Sequence, residues 1–112
     1  MNEADQASFG HHTEPIRVSG VSGTPGGGPY IVLELTFQNG RIASVAVDSN
    51  GCPAAIECSR LAARLVFNRT REEASGLEPS DLLLILREFQ GPKERYAPMA
   101  VEALQNALRQ LK

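Results

Sequence analysis

The residues of this 112-residue chain best suited to metal or sulfur chemistry are two cysteines, Cys52 and Cys58, and two histidines, His11 and His12. Cys52 immediately precedes Pro53, at the N-cap of an expected helix. A helix N-terminus presents free N–H groups and the positive end of the dipole, which favours a thiolate and lowers the cysteine's pKa. Cys52 is therefore the candidate ligand or persulfide acceptor; the plainer alternative is a small residue packed at a strand–helix corner. Cys58 lies six residues further on, within an apolar stripe, and is expected to be a core residue. Six residues exceed one helical turn and do not bring both sulfurs to one face. His11 and His12 sit in a polar arm, where paired histidines are solvated, and no metal-binding role is expected of them. Glu57, Glu72 and Glu73 read as exposed helix residues or caps. No Ser/His/Asp set and no paired catalytic carboxylates stand out, so the chain is not expected to be an enzyme.

Positioning Cys52 requires a sheet on one side and a helix on the other. Residues 1–14 read as a flexible polar arm, with the folded domain over 15–112. Residues 19–29, SGVSGTPGGGP, hold five of the ten glycines and are expected to form a loop, with at most a short strand near Arg17 to Val21. That stretch lacks the lysine-containing ending of a P-loop, and a strand follows it rather than a helix. Ile31, Leu33, Leu35 and Phe37 alternate with Val32, Glu34 and Thr36, the period of a half-buried strand. Asn39-Gly40 supplies a two-residue hairpin turn. Pairing Gln38 with Arg41 would set Phe37 opposite Ile42, Leu35 opposite Ser44 and Leu33 opposite Ala46. The small partners would leave room for a helix on that face. The second strand ends at the turn residues Asp48 to Gly51.

From Pro53 the pattern becomes helical, with Ala54, Cys58, Leu61, Ala62 and Leu65 on one stripe. Thr70 and Glu73 form a capping box for a short helix that Gly76 closes. Ser80 and Asp81 open a third helix, with Leu82, Ile85 and Phe89 on one face. After Gly91-Pro92, a final amphipathic helix is marked by Ala100, Leu104, Ala107, Leu108 and Leu111. The expected fold class is α+β, an antiparallel hairpin or small sheet with helices packed on one face.

Composition narrows the function further. A net charge of -2 without clustered Lys and Arg argues against a nucleic-acid or anionic-membrane surface. No apolar run approaches a membrane span, and the polar N-terminus lacks the layout of a signal peptide. The expected compartment is the cytoplasm, where two cysteines remain thiols.

The hairpin-to-helix junction, NGRIASVAVDSNGCPAAIECSRLAARLV, resembles the core motif of the NifU/IscU-type iron–sulfur scaffolds. In that family a strand enters a glycine–cysteine pair followed by small residues, an Ala-Ile and a helix. The similarity continues through Asn68 to Ala74 and reaches Asp81. Phe89 to Lys93 falls where the family carries its chaperone-recognition loop, with Lys93 the matching residue. The final helix, with Ala100, Glu102, Ala103 and Ala107, matches in pattern, and His11 to Pro15 resembles the family's His-Tyr-x-Asn-Pro more weakly.

Family scaffolds hold a nascent cluster with three cysteines, assisted by an aspartate and often a histidine. The resemblance makes Cys52 the one surviving thiolate ligand. It puts Gly27 at the first cysteine's place, Pro29 at the aspartate's, and Arg95 and Tyr96 at those of the histidine and third cysteine. Clusters normally need several thiolates, so the resemblance implies a degenerate site with weak or transient iron, cluster or sulfur handling, shared with a partner's ligands. The implied partners are a cysteine desulfurase or other iron–sulfur assembly proteins, with Lys93 as a partner-binding residue. A non-ligating paralogue acting as a protein-interaction module is the alternative.

Overall fold

A computed structural model of the chain describes residues 15–111. The sequence's polar arm, with His11 and His12, lies outside the described residues. Three strands, β1 (Ile16–Gly23), β2 (Tyr30–Gln38) and β3 (Arg41–Ser49), form one antiparallel sheet in the order β1-β2-β3. Four helices follow: α1 (Pro53–Val66), α2 (Arg71–Ser75), α3 (Pro79–Ile85) and α4 (Lys93–Leu108). The long helices cover one face of the sheet, α4 along β1 and β2 and α1 along β3, and pack on each other. The short helices α2 and α3 pack on α4. No helix among the described residues is long and apolar enough to cross a membrane.

Alternation along β2 decides which face is covered. Ile31, Leu33, Leu35 and Phe37 point inward and are buried. They meet helix surfaces built largely of alanine: Ala54, Ala55 and Ala62 on α1, and Ala97, Ala100, Ala103 and Ala107 on α4. Large side chains on the sheet opposite small ones on the helices let the two layers approach closely. Burial of each leucine contributes about 1.5–3 kcal/mol.

The expected hairpin is present, and Asn39 and Gly40 both take positive φ (57° and 79°), as a two-residue turn of this type requires. Its register departs from the expectation beyond the second rung. Gln38 pairs with Arg41 and Phe37 with Ile42, but a bulge then sets Leu35 opposite Val45 and Leu33 opposite Val47, not Ser44 and Ala46. One extra residue moves every later side chain to the other face. Without it Val45 would point to solvent; with it Val45 packs against the core.

The first strand is also longer than the glycine content suggests, running eight residues rather than a short piece. Its small residues serve contact with α4. A Cβ at Gly20 would run into the Ala103 carbonyl and the Ala107 backbone nitrogen. Ser22 is buried and donates its hydroxyl to Glu102 Oε1 at 2.6 Å. The true loop is confined to residues 24–29, closed by Thr24 N–H to the Pro29 carbonyl at 3.2 Å.

The capping box at α2 forms in both directions, with Thr70 N–H on Glu73 Oε1 at 3.0 Å and Glu73 N–H on Thr70 Oγ1 at 3.2 Å. The next helix starts earlier than Ser80: Glu78 is the N-cap, Pro79 the first residue, and Asp81 returns a bond to the Glu78 N–H. That helix is too short to carry its expected stripe. Leu82 is buried and Phe89 half-buried beyond the helix end, while Ile85 faces solvent.

Candidate functional site

The chain leaves β3, turns through Gly51 at a φ of 88°, and enters α1 at Pro53. Positive φ is available to glycine without strain, and this turn sets Cys52 at the N-cap in extended geometry (φ −63°, ψ 133°). Proline suits the first helical position because its missing N–H would have no partner there. The Cys52 carbonyl accepts the first helical bond, from Ile56 N–H at 3.0 Å.

Cys52 is half-buried, and its thiol makes no cap hydrogen bond. Its surroundings nonetheless favour a thiolate and lower its pKa from the ordinary range. The Ala54 N–H contributes most, opposed by partial burial and reinforced by the Ala55 N–H, the Tyr96 hydroxyl and the Arg95 charge. Cys58 is the opposite case. It is fully buried, and loss of water pushes its pKa up to about 11, helped by nearby acidic groups. Its thiol donates to the Lys93 carbonyl, at 3.9 Å.

Tyr96, on the first turns of α4, is buried with its hydroxyl at the site. Asn50 donates to that hydroxyl at 3.1 Å, and its own oxygen accepts from Tyr30 N–H at 3.2 Å. One amide thus ties the start of β2, the end of β3 and α4 together beside Cys52. The sequence reading missed Asn50, having counted it only as a turn residue. An amide two positions before an N-cap cysteine carries no sequence signal of its own. Arg95 is exposed and close enough to act on the thiolate by charge.

Pro29 adjoins Tyr30 and so lies next to this node, in the exposed loop of residues 24–29. Gly27 lies within that loop, donating its N–H to the Thr24 carbonyl at 3.0 Å. Lys93 has another occupation. Its ammonium donates to the carbonyls of Leu86 (2.8 Å), Arg87 (2.8 Å) and Phe89 (3.1 Å), closing the chain end after α3. An ammonium has three donors, so this geometry uses them all. A groove of about 520 Å³ lies elsewhere, between the end of α1 and helices α2 and α3.

A cluster or a tightly held metal ion requires several converging ligands. Among the described residues no group of three His, Cys, Asp or Glu side chains could hold a metal. Around Cys52 stand the Tyr96 phenol, the Asn50 amide and the Arg95 guanidinium. That donor set does not fit an iron–sulfur cluster held by the described residues alone, because a guanidinium repels an incoming cation and a phenol is a poor substitute for a thiolate.

No curated protein matches the chain in sequence. The family model described as NifU-like N terminal domain matches residues 4–112. The match runs through both cysteines, the sheet and the four described helices, so the chain belongs to the NifU-like N terminal domain family, that of the iron–sulfur cluster assembly scaffolds.

Proposed function

We propose that this protein works in cytoplasmic iron–sulfur cluster assembly through the single thiolate of Cys52, as a sulfur-handling component rather than a stand-alone cluster holder or an enzyme. The observation that carries this reading is the contrast at α1: Cys52 is half-buried with its pKa lowered, while Cys58 is sealed and held protonated. A persulfide-bearing partner, of which a cysteine desulfurase is the kind the family suggests, would present a sulfane sulfur to Cys52. The Cys52 thiolate attacks the outer sulfur of that persulfide. A new Sγ–S bond forms, the donor's S–S bond breaks, and the donor cysteine leaves as a thiolate. No external oxidant is consumed. The N–H groups of Ala54 and Ala55, the Tyr96 hydroxyl and Arg95 stabilise the anion before attack. Iron, where it enters, would be held jointly with a partner's ligands.

The test is mass spectrometry of the full chain after treatment with inorganic polysulfide as the sulfane donor. A gain of sulfur on the peptide containing Cys52, absent from Cys52→Ser, is the expected result. Sulfur appearing on Cys58, or on neither cysteine, would remove the reading.

A second reading has its own observation in support. The donor set around Cys52 does not fit a cluster, and Lys93 is satisfied within the fold. A non-ligating member that serves as an interaction module is consistent with that donor set. Docking of a partner through Lys93 belongs to that reading and requires its ammonium to leave its three carbonyls.

A further inference from the structure

The two edges of the sheet are finished differently. In the observed register the backbone groups of Ser19 and Val21 point away from β2, at the outer edge of β1. Side-chain amides of α4 and of the turn after it cover them. Gln110 Oε1 accepts from Ser19 N–H at 3.2 Å, Gln110 Nε2 donates to the Ser19 carbonyl at 2.6 Å, and Asn106 Nδ2 donates to the Val21 carbonyl at 2.9 Å. An extended chain cannot add there without displacing three hydrogen bonds.

At the other edge, the described residues cover only the first outward rung of β3. Ile42 N–H donates to the Arg69 carbonyl at 2.9 Å, and the Ile42 carbonyl accepts from Asn68 N–H at 2.8 Å. The bulge then makes Val45 and Val47 the next outward-facing residues. Their outer N–H and C=O groups have no hydrogen-bond partner among the described residues. An edge with free rungs is a template for another strand unless charge, proline or a cover blocks it, and residues 43–47 are Ala, Ser, Val, Ala and Val.

What surrounds this edge defines the occupant. A groove of about 280 Å³ separates β3 from α1 and is lined by Val45, Val47, Arg60, Ala63, Arg64 and Phe67. A second groove continues from it past Phe67 and Arg64 to Arg41 and Arg69. Among the described residues neither groove has an acidic lining residue. Among the described residues Arg41 has one carboxylate neighbour, Glu73 at 3.8 Å. Arg60 and Arg64 pair with none among the described residues. Asp48 belongs to the opposite face of the sheet, where Tyr30 donates to it at 3.3 Å. Phe67 is 57% exposed between the arginines. In a chain of net charge -2, this gathers four arginines and an exposed ring beside an unpaired strand edge.

We propose that the free edge of β3 takes up an extended acidic segment of a partner protein as a fourth strand. The partner's main chain would pair with Val45 and Val47. Its alternate side chains, carboxylates with an apolar residue among them, would meet Arg60, Arg64 and Phe67. Strand addition takes its affinity from main-chain bonds and its specificity from alternate side chains. A second copy of this chain is disfavoured because edge-to-edge pairing would set arginine against arginine. The inference does not depend on Cys52.

The test titrates the full chain, by amide NMR and hydrogen exchange, with a capped seven-residue peptide of alternating glutamate and valine. A matched peptide with lysine for glutamate is the control. Shifts centred on residues 44–49, with new protection of the Val45 and Val47 amides and loss of binding in added salt, are expected. The lysine peptide should not bind. Arg60→Gln with Arg64→Gln should weaken binding by up to about tenfold by removing two exposed charge contacts. Val47→Pro removes only an outward N–H and should block pairing while β3 keeps its bonds to β2. Equal binding of the two peptides, shifts centred on β1, or no shift at all would overturn the proposal. So would a concentration-dependent dimer protected at β3, which would make the occupant a second copy.

Discussion

The Asn50 side chain donates to the Tyr96 hydroxyl at 3.1 Å, and that hydroxyl in turn lies against the sulfur of Cys52. A turn residue thus positions, through a helix far along the chain, one of the groups that favour the thiolate of a cysteine two positions later. Tyr96→Phe keeps the ring in the core and removes only the hydroxyl. The Cys52 alkylation profile should shift to higher pH, and its rate at neutral pH should fall. Stability should drop by about 1 kcal/mol, the typical net contribution of one hydrogen bond. A stability loss with an unmoved pH–rate profile would confine Tyr96 to a packing role.

The two cysteines should differ sharply in native labelling. With limiting iodoacetamide at neutral pH, Cys52 should be modified well before Cys58, since thiolate fraction and access both favour it. Peptide mapping by mass spectrometry checks the order. Equal protection of both would place Cys52 in the same sealed environment as Cys58.

Burial of Cys58 also predicts a pH dependence of stability. Its folded pKa is raised to about 11 from the ordinary value of 9.0. The unfolded chain therefore binds fewer protons between those two values, and stability falls as pH rises through that window. Below it the contribution is fully present. Denaturant midpoints measured from pH 8 to 11, roughly the span of those two pKa values, should fall with pH in the parent. In Cys58→Ala they should fall less steeply.

Removing the Lys93 ammonium should loosen the segment after α3. Lys93→Met keeps the apolar stem and leaves three carbonyls to find other donors. The expected cost is about 1–3 kcal/mol, the range for an acceptor left unsatisfied. Amide exchange should speed up around residues 82–89 before the sheet is affected. Unchanged exchange there would show that solvent replaces the ammonium without loss.

Rebuilding the family's ligands tests the degenerate-site reading directly. The variant carries Gly27→Cys, Pro29→Asp, Arg95→His and Tyr96→Cys together. Gly27 has no positive φ, and a Cβ there would approach the Thr24 methyl to 3.1 Å, a contact a side chain can relieve. The buried Tyr96 ring is the demanding change, at about 3–5 kcal/mol by comparison with other large-to-small aromatic substitutions. Folding should therefore be checked by circular dichroism first. After anaerobic reconstitution with iron and sulfide, the folded variant should retain both through gel filtration and the parent should not. A stoichiometric cluster on the parent would show that its site is not degenerate.

The sequence by itself determined the elements whose causes are local. Alternation at Ile31 to Phe37, the Asn39-Gly40 turn, the Thr70–Glu73 capping box and the Cys52-Pro53 helix start each follow from neighbouring residues, and all four are present. Burial of Cys58 followed from its stripe in the same way. Tertiary contact decided the rest. The bulge in β3 exists because Val45 gains burial under α1, which the hairpin sequence alone cannot weigh. The glycine-rich β1 holds as a strand because Gly20 admits the α4 backbone and because Gln110 and Asn106, about ninety positions away, bind its outer edge. The environment of Cys52 likewise depends on Asn50 and Tyr96 meeting across 46 positions. Local rules fix what a segment can become; only packing between distant segments fixes which face it shows and which charges surround it.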